Sequence, residues 1–592
     1  MLLLPGLMNN LLLFLSFFLL FSITKSAIVS TSLGQIDGDQ IGSFHLFKHI
    51  PLAKPPIGKL RFQKPEPPEK WTGVRNAKAY GPACISNSSV STSPQKWIDE
   101  DCLHINIFTS DKCLKSKDCA VVTYFHGGGL MYDSAVMFND TYLLGTFVNQ
   151  DVIIAIPAFR LGIFSHFVVE DQSIAPTNLA LYDILLGVEF VKNEIHNFGG
   201  NNQKNTIMGH SYGGSIVNIL TFSSKINHDL SLFQQSICMS SGHDFETLEI
   251  QIQKTNRFAK HAGCTVPSII EKKMTTRQSD LYRMKCLQNK DALELLRVQR
   301  LLEDEGYPTY GYLVQREPLI QEIPYQEFMK SPKKIPMLTG CTRYEMDHSP
   351  APKPIGQALG FENPEEVYMK FRKDWDDEVY EFGNHSDETQ AIMVQVRVRV
   401  NNLLSKNVPA YLYEYTYPKH ARHTDDLFYL MGVHRFEKDE NEIELGKVYE
   451  TIFMNFAKFG DPKEGFELAN AENESYYEVY WDGETGERPQ MKTKFEEKII
   501  NYWLKDMVEY DKHITELKNQ KISIRKPVVR FYEESSKYHQ YSYMTISILL
   551  IFTIFLTGYL FGRCCCVGNQ DRNLYIQLDG SNIPTGHIVK NF

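Results

Sequence analysis

The pentapeptide Gly209-His210-Ser211-Tyr212-Gly213 constrains the fold of this chain more than any other feature. It has the pattern G-x-S-x-G and follows a short apolar run, Thr206 to Met208, with the character of a buried strand. The pattern is typical of a sharp strand-to-helix turn, in which glycines stand where larger side chains would collide. The sequence therefore predicts that Ser211 presents its hydroxyl above the edge of a sheet.

Short apolar runs bounded by turn-forming residues recur along the chain. They are Ala120 to Phe125, Asp151 to Ile156, Thr206 to Met208, Ile335 to Leu338 and Ala410 to Tyr417. Because they show little strict alternation, we expect strands that are buried on both faces. Apolar residues between Leu181 and Ile195 are spaced by three and four, which indicates a helix between two strands. The chain is therefore predicted to have an α/β fold with a mostly parallel central sheet and helices on both faces.

Two chemically suggestive segments directly follow predicted strands. One is His126-Gly127-Gly128-Gly129, and the other contains Ser211. Active sites of such sheets lie at the carboxyl ends of the strands, so both segments should meet at one rim. A serine hydroxyl becomes a useful nucleophile when a base removes its proton and N–H donors bind the resulting oxyanion. The glycine loop can supply such donors, and acids and histidines lie downstream. The sequence thus indicates a serine hydrolase.

Several further blocks occur in a characteristic order. They are Ile50 to Gly58 with Leu60-Arg61-Phe62, Glu100-Asp101-Cys102-Leu103-His104-Ile105-Asn106, Phe198-Gly199-Gly200 and Asn455 to Pro462. In this order they resemble the type-B carboxylesterase/cholinesterase family of the α/β-hydrolase fold, over roughly residues 30–510. An uncharged segment near the end of the chain, residues 543–562, makes it also similar to nematode transmembrane carboxylesterases.

The resemblance implies a catalytic triad. Ser211 matches the nucleophile, Glu345 matches the acid in the segment that begins at Gly340, and His423 matches the base that opens an H-x-x-[DE]-L segment. Chain order Ser, Glu, His is the order that this fold uses. Asp347 remains an alternative acid, and His420 and His434 lie close enough in sequence to be weighed against His423.

The resemblance also implies an oxyanion hole formed by the backbone N–H groups of Gly128, Gly129 and Tyr212. The residues around Ser211 depart from the family pattern, since His210 replaces a glutamate and Tyr212 replaces an alanine. Met346 stands where a glycine usually follows the acid. These changes remove no reacting atom, but they predict substrate preferences unlike those of a generalist esterase.

The favoured function is hydrolysis of small-molecule carboxylic esters through an acyl-serine intermediate. One alternative keeps the same chemistry and passes the acyl group to a small alcohol or amine, such as a glycoside. A less favoured alternative is a non-catalytic adhesion protein similar to neuroligins. No H-E-x-x-H motif or Cys/His cluster is present, so no metal or other cofactor is expected. A net charge of −9 without a basic patch argues against binding to nucleic acid.

The chain ends predict a type I membrane protein. Residues 1–26 resemble a signal peptide that is cleaved before Ala27, and residues 27–530 form one catalytic domain because no linker interrupts them. After a stalk at 531–542, the uncharged residues 543–562 are long enough to span a membrane, which leaves 563–592 as a cytoplasmic tail. Tyr575 begins a Y-x-x-Φ pattern of the kind that sorting adaptors bind. We therefore expect a lumenal or extracellular catalytic domain at the plasma membrane or in an endosomal or lysosome-related organelle.

Cysteines and glycosylation sequons agree with an oxidising compartment. Candidate glycosylation sites are Asn87, Asn139, Asn384 and Asn473. The family resemblance implies the disulfides Cys84–Cys102 and Cys264–Cys286. Cys113 and Cys119 could form a local bridge, whereas Cys238 and Cys341 lie in strand-like contexts that favour buried free thiols; the pairing of these four is left open.

Overall fold

The computed structural model describes residues 27–86, 97–242, 245–307, 310–346, 353–379, 382 and 385–520. Outside these ranges lie the candidate signal peptide, stalk, membrane span and tail, together with Asn87, Asp347, Asn384 and Tyr575. Within the described ranges, no helix combines the length and the apolar character needed to cross a membrane. The main compact unit of the chain extends to His513.

Strands form one large sheet and one small sheet in the described part of the chain. They are β1 (Ala27–Ser30), β2 (Gln35–Ile41), β3 (Phe44–Pro51), β4 (Val74–Ala77), β5 (Ala83–Cys84), β6 (Ile98–Asp99), β7 (His104–Ser110), β8 (Cys119–Phe125), β9 (Val152–Pro157), β10 (Gly200–His210), β11 (Gln235–Met239), β12 (Met337–Thr342), β13 (Ala410–Tyr415), β14 (Tyr476–Val479) and β15 (Gln490–Lys492). The large sheet has the order β1-β2-β3-β7-β9-β8-β10-β11-β12-β13-β14-β15, with β4 beside β2, and the small sheet pairs β5 with β6.

The centre of the large sheet is parallel. Each neighbouring pair from β9 through β8 and β10 to β14 runs in the same direction. Antiparallel strands flank this centre, with β7 next to β9 on one side and β15 next to β14 on the other. Because parallel neighbours end on the same side, the loops after β8, β10, β12 and β13 all emerge at one rim of the sheet.

Central strands are buried along their whole length, which explains their continuous apolar sequences. Every residue of β8, β9, β12 and β13 is buried. Within β9, Ile153 and Ala155 belong to one hydrophobic core, and Ile154 and Ile156 belong to another. Successive side chains thus point to opposite faces of the sheet, and both faces are covered.

Helices follow most of the central strands. They are α1 (Asp111–Ser116), α2 (Asp140–Thr146), α3 (Ile163–His166), α4 (Leu179–Glu194), α5 (Tyr212–Phe222), α6 (Leu248–His261), α7 (Ser268–Glu271), α8 (Thr276–Gln288), α9 (Ala292–Asp304), α10 (Tyr325–Phe328), α11 (Lys353–Leu359), α12 (Pro364–Asp376), α13 (Asp387–Ser405), α14 (Leu427–Met431), α15 (Glu440–Phe459) and α16 (Glu497–Asn501). The helix predicted over residues 181–195 is α4. The predicted mixture of a mostly parallel sheet and helices is therefore confirmed.

The described cysteines form three disulfides. These are Cys84–Cys102, Cys113–Cys119 and Cys264–Cys286. Cys238 and Cys341 are free and buried. Burial raises the pKa of both thiols, so neither is available as a thiolate at neutral pH.

Candidate active site

The turn between β10 and α5 holds Ser211 in a conformation that few residues adopt. Its backbone has φ 57° and ψ −126°, and its N–H donates to the carbonyl oxygen of Met239 at 3.1 Å. Tight packing around the turn requires the two glycines of the motif. A Cβ at Gly209 would lie 2.2 Å from the carbonyl carbon of Gly213, and a Cβ at Gly213 would lie 2.1 Å from the carbonyl oxygen of Phe125. The sharp turn predicted from the sequence is therefore present.

Three side chains from separate loops form a continuous chain of contacts. The Nε2 atom of His423 lies 2.8 Å from the Oγ of Ser211, and its Nδ1 lies 2.5 Å from Oε2 of Glu345. These are hydrogen-bond distances between a hydroxyl, an imidazole and a carboxylate. The structure thus brings together the three residues that the sequence singled out, although they come from the ends of β10, β12 and β13.

Backbone hydrogen bonds fix the two loops that carry Glu345 and His423. The N–H of Tyr344 donates to Ala421 at 2.9 Å, and the N–H of His423 donates to the carbonyl of Glu345 at 2.6 Å. The other carboxylate oxygen of Glu345 accepts from the N–H of Thr342 at 2.8 Å. The carboxylate is only 1% exposed and has a fixed direction toward the imidazole.

The surroundings of His423 favour its protonated form. Burial by itself lowers its pKa, but the hydrogen bond and the negative charge of Glu345 raise it, as do the charges of Asp426 and Glu388. The net effect is a pKa above the ordinary value of 6.5. An imidazole in this setting is a stronger base toward the hydroxyl of Ser211 than an isolated histidine.

A loop of glycines, Gly127 to Gly129, lies beside Ser211. A Cβ added to Gly127 would be 3.8 Å from the Oγ of Ser211, so the loop passes directly next to the hydroxyl. Gly128 has φ +84°, which lets the loop turn its backbone toward the site. In the described part of the chain, the amides of Gly128 and Gly129 donate no hydrogen bond to protein groups. Together with the first amide of α5, at Tyr212, they line the space in front of Ser211.

These groups open into a cavity of about 700 Å³. Its described walls combine aromatic rings, thioethers and small hydroxyls with the carboxylates of Asp133 and Glu388. The ring of Tyr212 packs edge-on against that of Tyr312, with centroids 6.3 Å apart. The side chain of Tyr212 therefore lines the cavity. No group of three or more His, Cys, Asp or Glu side chains suited to a metal ion occurs among the described residues.

Two neighbouring histidines have other surroundings. The Nδ1 of His420 lies 2.5 Å from Glu442, and its ring stacks on Phe436. His434 lines the cavity, but burial lowers its pKa, which makes it a weaker base than His423. Of the three candidates from the sequence, only His423 lies at hydrogen-bond distance from Ser211.

Sequence reasoning gave no role to three charged or polar residues at this site. His210 was noted only as a departure from the family pattern, and Asp426 only as part of a motif. Glu388, on α13, was not singled out, and it reaches the cavity from a segment without any local signature. Each becomes recognisable only when distant parts of the chain are brought together.

The sheet order and the turn at Ser211 define the α/β-hydrolase fold. A solved structure titled PNB esterase has the same fold, with a TM-score of 0.64 and 22% sequence identity over 80% of this chain and 99% of that chain. The sequence pattern of the carboxylesterase family matches residues 25–352 and 361–503. This protein therefore belongs to the carboxylesterase family.

Curated relatives carry matching names. Liver carboxylesterase 1 of Mus musculus is 27% identical over 527 residues, which cover 77% of this chain and 88% of that protein. Esterase cest-33 of Caenorhabditis elegans is 28% identical over 472 residues, or 70% of this chain and 81% of that protein. Gut esterase 1 of Caenorhabditis briggsae is 33% identical over 246 residues, or 41% of this chain and 43% of that protein. The expectation of an esterase is confirmed.

Proposed function

We propose that this esterase hydrolyses small-molecule carboxylic esters through an acyl-serine intermediate on Ser211. The observation that carries the proposal is the uninterrupted contact from the hydroxyl of Ser211 through His423 to Glu345, at 2.8 and 2.5 Å. A nucleophile bonded to a base that is itself oriented by an acid is the arrangement that activates serine in acyl transfer.

In the first half of the reaction, Nε2 of His423 accepts the proton of Ser211 as Oγ attacks the ester carbonyl carbon. Glu345 holds the imidazole in the tautomer that leaves Nε2 free to accept, and its charge stabilises the imidazolium that forms. The tetrahedral intermediate then expels the alcohol, which takes the proton from His423. An acyl group remains on Ser211.

In the second half, water attacks the acyl group and His423 accepts its proton. The intermediate collapses, Oγ of Ser211 regains a proton from His423, and a carboxylic acid leaves. Both tetrahedral intermediates carry a negative oxygen, which the amides of Gly128, Gly129 and Tyr212 stabilise. Each such donor typically contributes about 3 kcal/mol to the barrier reduction.

Active-site labelling tests this proposal. A fluorophosphonate probe reacts with a serine only when the serine is activated, so wild type should label and Ser211→Ala should not. Ser215→Ala is the matched control, because Ser215 lines the same cavity but its hydroxyl bonds to the carbonyl of Gly242. Labelling that survives in Ser211→Ala, or that disappears in Ser215→Ala alone, would contradict the assignment.

We also propose that the catalytic unit is lumenal or extracellular and is tethered by residues 543–562. The three disulfides are typical of an oxidising compartment. Asn139 and Asn473, the two sequon asparagines within the described residues, are exposed and accessible to a glycosyltransferase. Removal of N-linked glycans should increase the gel mobility of the full chain, and Asn139→Gln with Asn473→Gln should reduce that change. A chain without glycans in its native cells would contradict the proposal.

A further inference from the structure

A second pair of polar side chains lies behind the imidazole of His423. The ring of His210 packs against that of His423, with centroids 4.8 Å apart. The Nε2 of His210 lies 3.7 Å from Oδ1 of Asp426. Both side chains are essentially inaccessible to solvent, at 1% and 0% exposure. Among the residues that the structure describes, neither of these two atoms has a hydrogen-bond partner.

The other oxygen of Asp426 is held in place. Its Oδ2 accepts from the hydroxyl of Tyr449 at 3.2 Å and from that of Tyr413 at 3.4 Å. Asp426 directly precedes α14, only three residues after His423. The carboxylate is thus anchored to β13 and α15 through Oδ2, and its Oδ1 lies 3.7 Å from Nε2 of His210.

Titratable groups on several neighbouring elements interact electrostatically with this pair. Those that influence Asp426 or are influenced by it are Tyr124 on β8, Cys341 on β12, Glu345 after β12, Tyr413 and Tyr415 on β13, His423 and Asp425 in the loop, Tyr429 on α14 and Tyr449 on α15. The charge of Glu388 also raises the pKa of His423, and the charge of His434 lowers the pKa of His210. The charges of Glu345, Asp426 and Glu388 all raise the pKa of His423.

We propose that Asp426, acting through His210, positions the imidazole of His423 and supplies a second negative charge that stabilises its protonated form. The proposal rests on the function proposed above, in which His423 becomes an imidazolium in each transition state. Asp426 and His210 are positioning residues, since neither touches the reacting atoms. Glu345 acts on the Nδ1 atom of the ring, whereas His210 contacts the ring itself.

The protonation states of the pair are consistent with this role. Burial, followed by the nearby charges of His423 and His434, lowers the pKa of His210 well below 6.5, so that His210 is neutral. Burial and the charge of Glu345 raise the pKa of Asp426 to about 7, whereas the charge of His423 lowers it. Protonation of His423 and ionisation of Asp426 therefore favour each other. A neutral His210 with its proton on Nε2 can donate to the ionised carboxylate.

The identity of the residue at position 210 determines how Asp426 can interact with His423. The family resemblance places a glutamate there, and a glutamate would face Asp426 as a second carboxylate in a closed site. Two buried carboxylates share a proton because both cannot be ionised at low cost. Histidine provides a donor instead, and it allows Asp426 to ionise beside His423.

The test is the dependence of kcat/KM on pH for a p-nitrophenyl ester, with the full chain in its membrane-bound form. Asp426→Asn keeps the shape of the side chain and removes its charge. The midpoint of the low-pH side of the profile should move down by about 0.5 to 1 pH unit, as expected for a unit charge at this range. Above the midpoint, kcat/KM should fall by about 3- to 10-fold, because a shift of 0.5 to 1 pKa unit corresponds to this factor in an equilibrium or rate constant.

Asp425→Asn is the matched control, because it removes the charge of the neighbouring carboxylate, whose Oδ2 accepts from the backbone N–H of Arg422. It should leave the midpoint in place. An unshifted midpoint in Asp426→Asn, or an equal shift in both variants, overturns the proposal even though the enzyme still hydrolyses esters. Loss of labelling at Ser211 in the wild type would instead overturn the proposed function.

A second variant keeps the proposal falsifiable if Asp426→Asn does not fold. His210→Leu removes the side chain that faces Oδ1 of Asp426 and contacts the ring of His423, so the midpoint should move in the same direction. In the double variant His210→Leu with Asp426→Asn, where it folds, the low-pH midpoint should shift no further than in Asp426→Asn alone, because both substitutions disrupt the same interaction with His423. A midpoint that stays in place in His210→Leu, or shifts that add fully, would show that the two residues act independently.

Discussion

Glu345 holds His423 through both its side chain and its backbone. Oε2 lies 2.5 Å from Nδ1 of the imidazole, and the carbonyl oxygen accepts from the His423 N–H at 2.6 Å. These two contacts join the loops after β12 and β13 directly at His423, whose imidazole must be oriented toward Ser211. The direction of the base toward Ser211 is set by a rigid contact rather than by a flexible side chain.

This contact predicts a large effect of Glu345→Gln. The amide can turn its NH₂ group toward Nδ1, which forces the proton onto Nε2, and Nε2 can then no longer accept from Ser211. We expect kcat/KM to fall by about 10³ to 10⁴, the range found when a triad carboxylate becomes an amide. Glu388→Gln is the control, since Glu388 lines the cavity without bonding to His423, and its effect should remain within about tenfold. A loss below tenfold in Glu345→Gln would contradict the assigned role.

The raised pKa of His423 predicts where activity is lost as the pH falls. A base must be neutral to accept a proton, so kcat/KM should be full above the pKa of His423 and decline as the pH drops through it. Since that pKa lies above 6.5, the midpoint should lie above pH 6.5. The stability that the protonated ring contributes has the opposite sign: it is present below 6.5 and is lost as the pH rises through the raised pKa. A kcat/KM profile from pH 5 to 9 checks the first statement, and a midpoint at or below 6.5 would contradict it.

Much of the fold could be predicted because its strands are continuous in sequence. The strands β8, β9 and β13 were recognisable as apolar runs, since both of their faces are buried. The run predicted at Ile335 to Leu338 shares only its last two residues with β12, which continues through Thr339, Gly340 and Thr342. The first half of β10 was missed. Its residues from Gly200 to Asn205 are mostly polar and partly exposed, and the pairing with β8 shifts its register there.

The residues of the site also divide into those that a local sequence motif identifies and those that only the fold brings together. Ser211 and the glycine loop sit in short motifs whose geometry is local, and they could be identified directly. The pair of His210 and Asp426 depends on a contact across more than two hundred residues, for which no sequence pattern exists. Likewise, the bridge between Cys113 and Cys119 depends on how α1 ends, because spacing alone does not bring two Cβ atoms within bonding distance.

The tight turn at Ser211 predicts that Gly213→Ala will damage both stability and activity. Its added Cβ would lie 2.1 Å from the backbone oxygen of Phe125, which cannot move without displacing β8. We expect a loss of more than about 3 kcal/mol in the free energy of unfolding, within the range of severe overpacking. Gly145→Ala in α2 is the control, because a Cβ there meets nothing within 4 Å and alanine favours a helix. Thermal unfolding compares the two variants, and similar melting temperatures would contradict the prediction.

The ring of Tyr212 predicts a change in acyl-chain preference when it is removed. Tyr212 follows the nucleophile, lines the cavity of about 700 Å³ and packs edge-on against Tyr312. Tyr212→Ala keeps the backbone amide that we propose binds the oxyanion but opens space beside the acyl group. The ratio of kcat/KM for p-nitrophenyl octanoate to that for the acetate should therefore rise by about tenfold, since each methylene newly buried contributes up to about 0.8 kcal/mol. Tyr312→Phe retains the packed ring and should leave the ratio nearly unchanged. An equal loss of kcat/KM on both esters in Tyr212→Ala would contradict this prediction, because it would mean that the ring holds the backbone amide of residue 212 in position rather than limiting the length of the acyl chain.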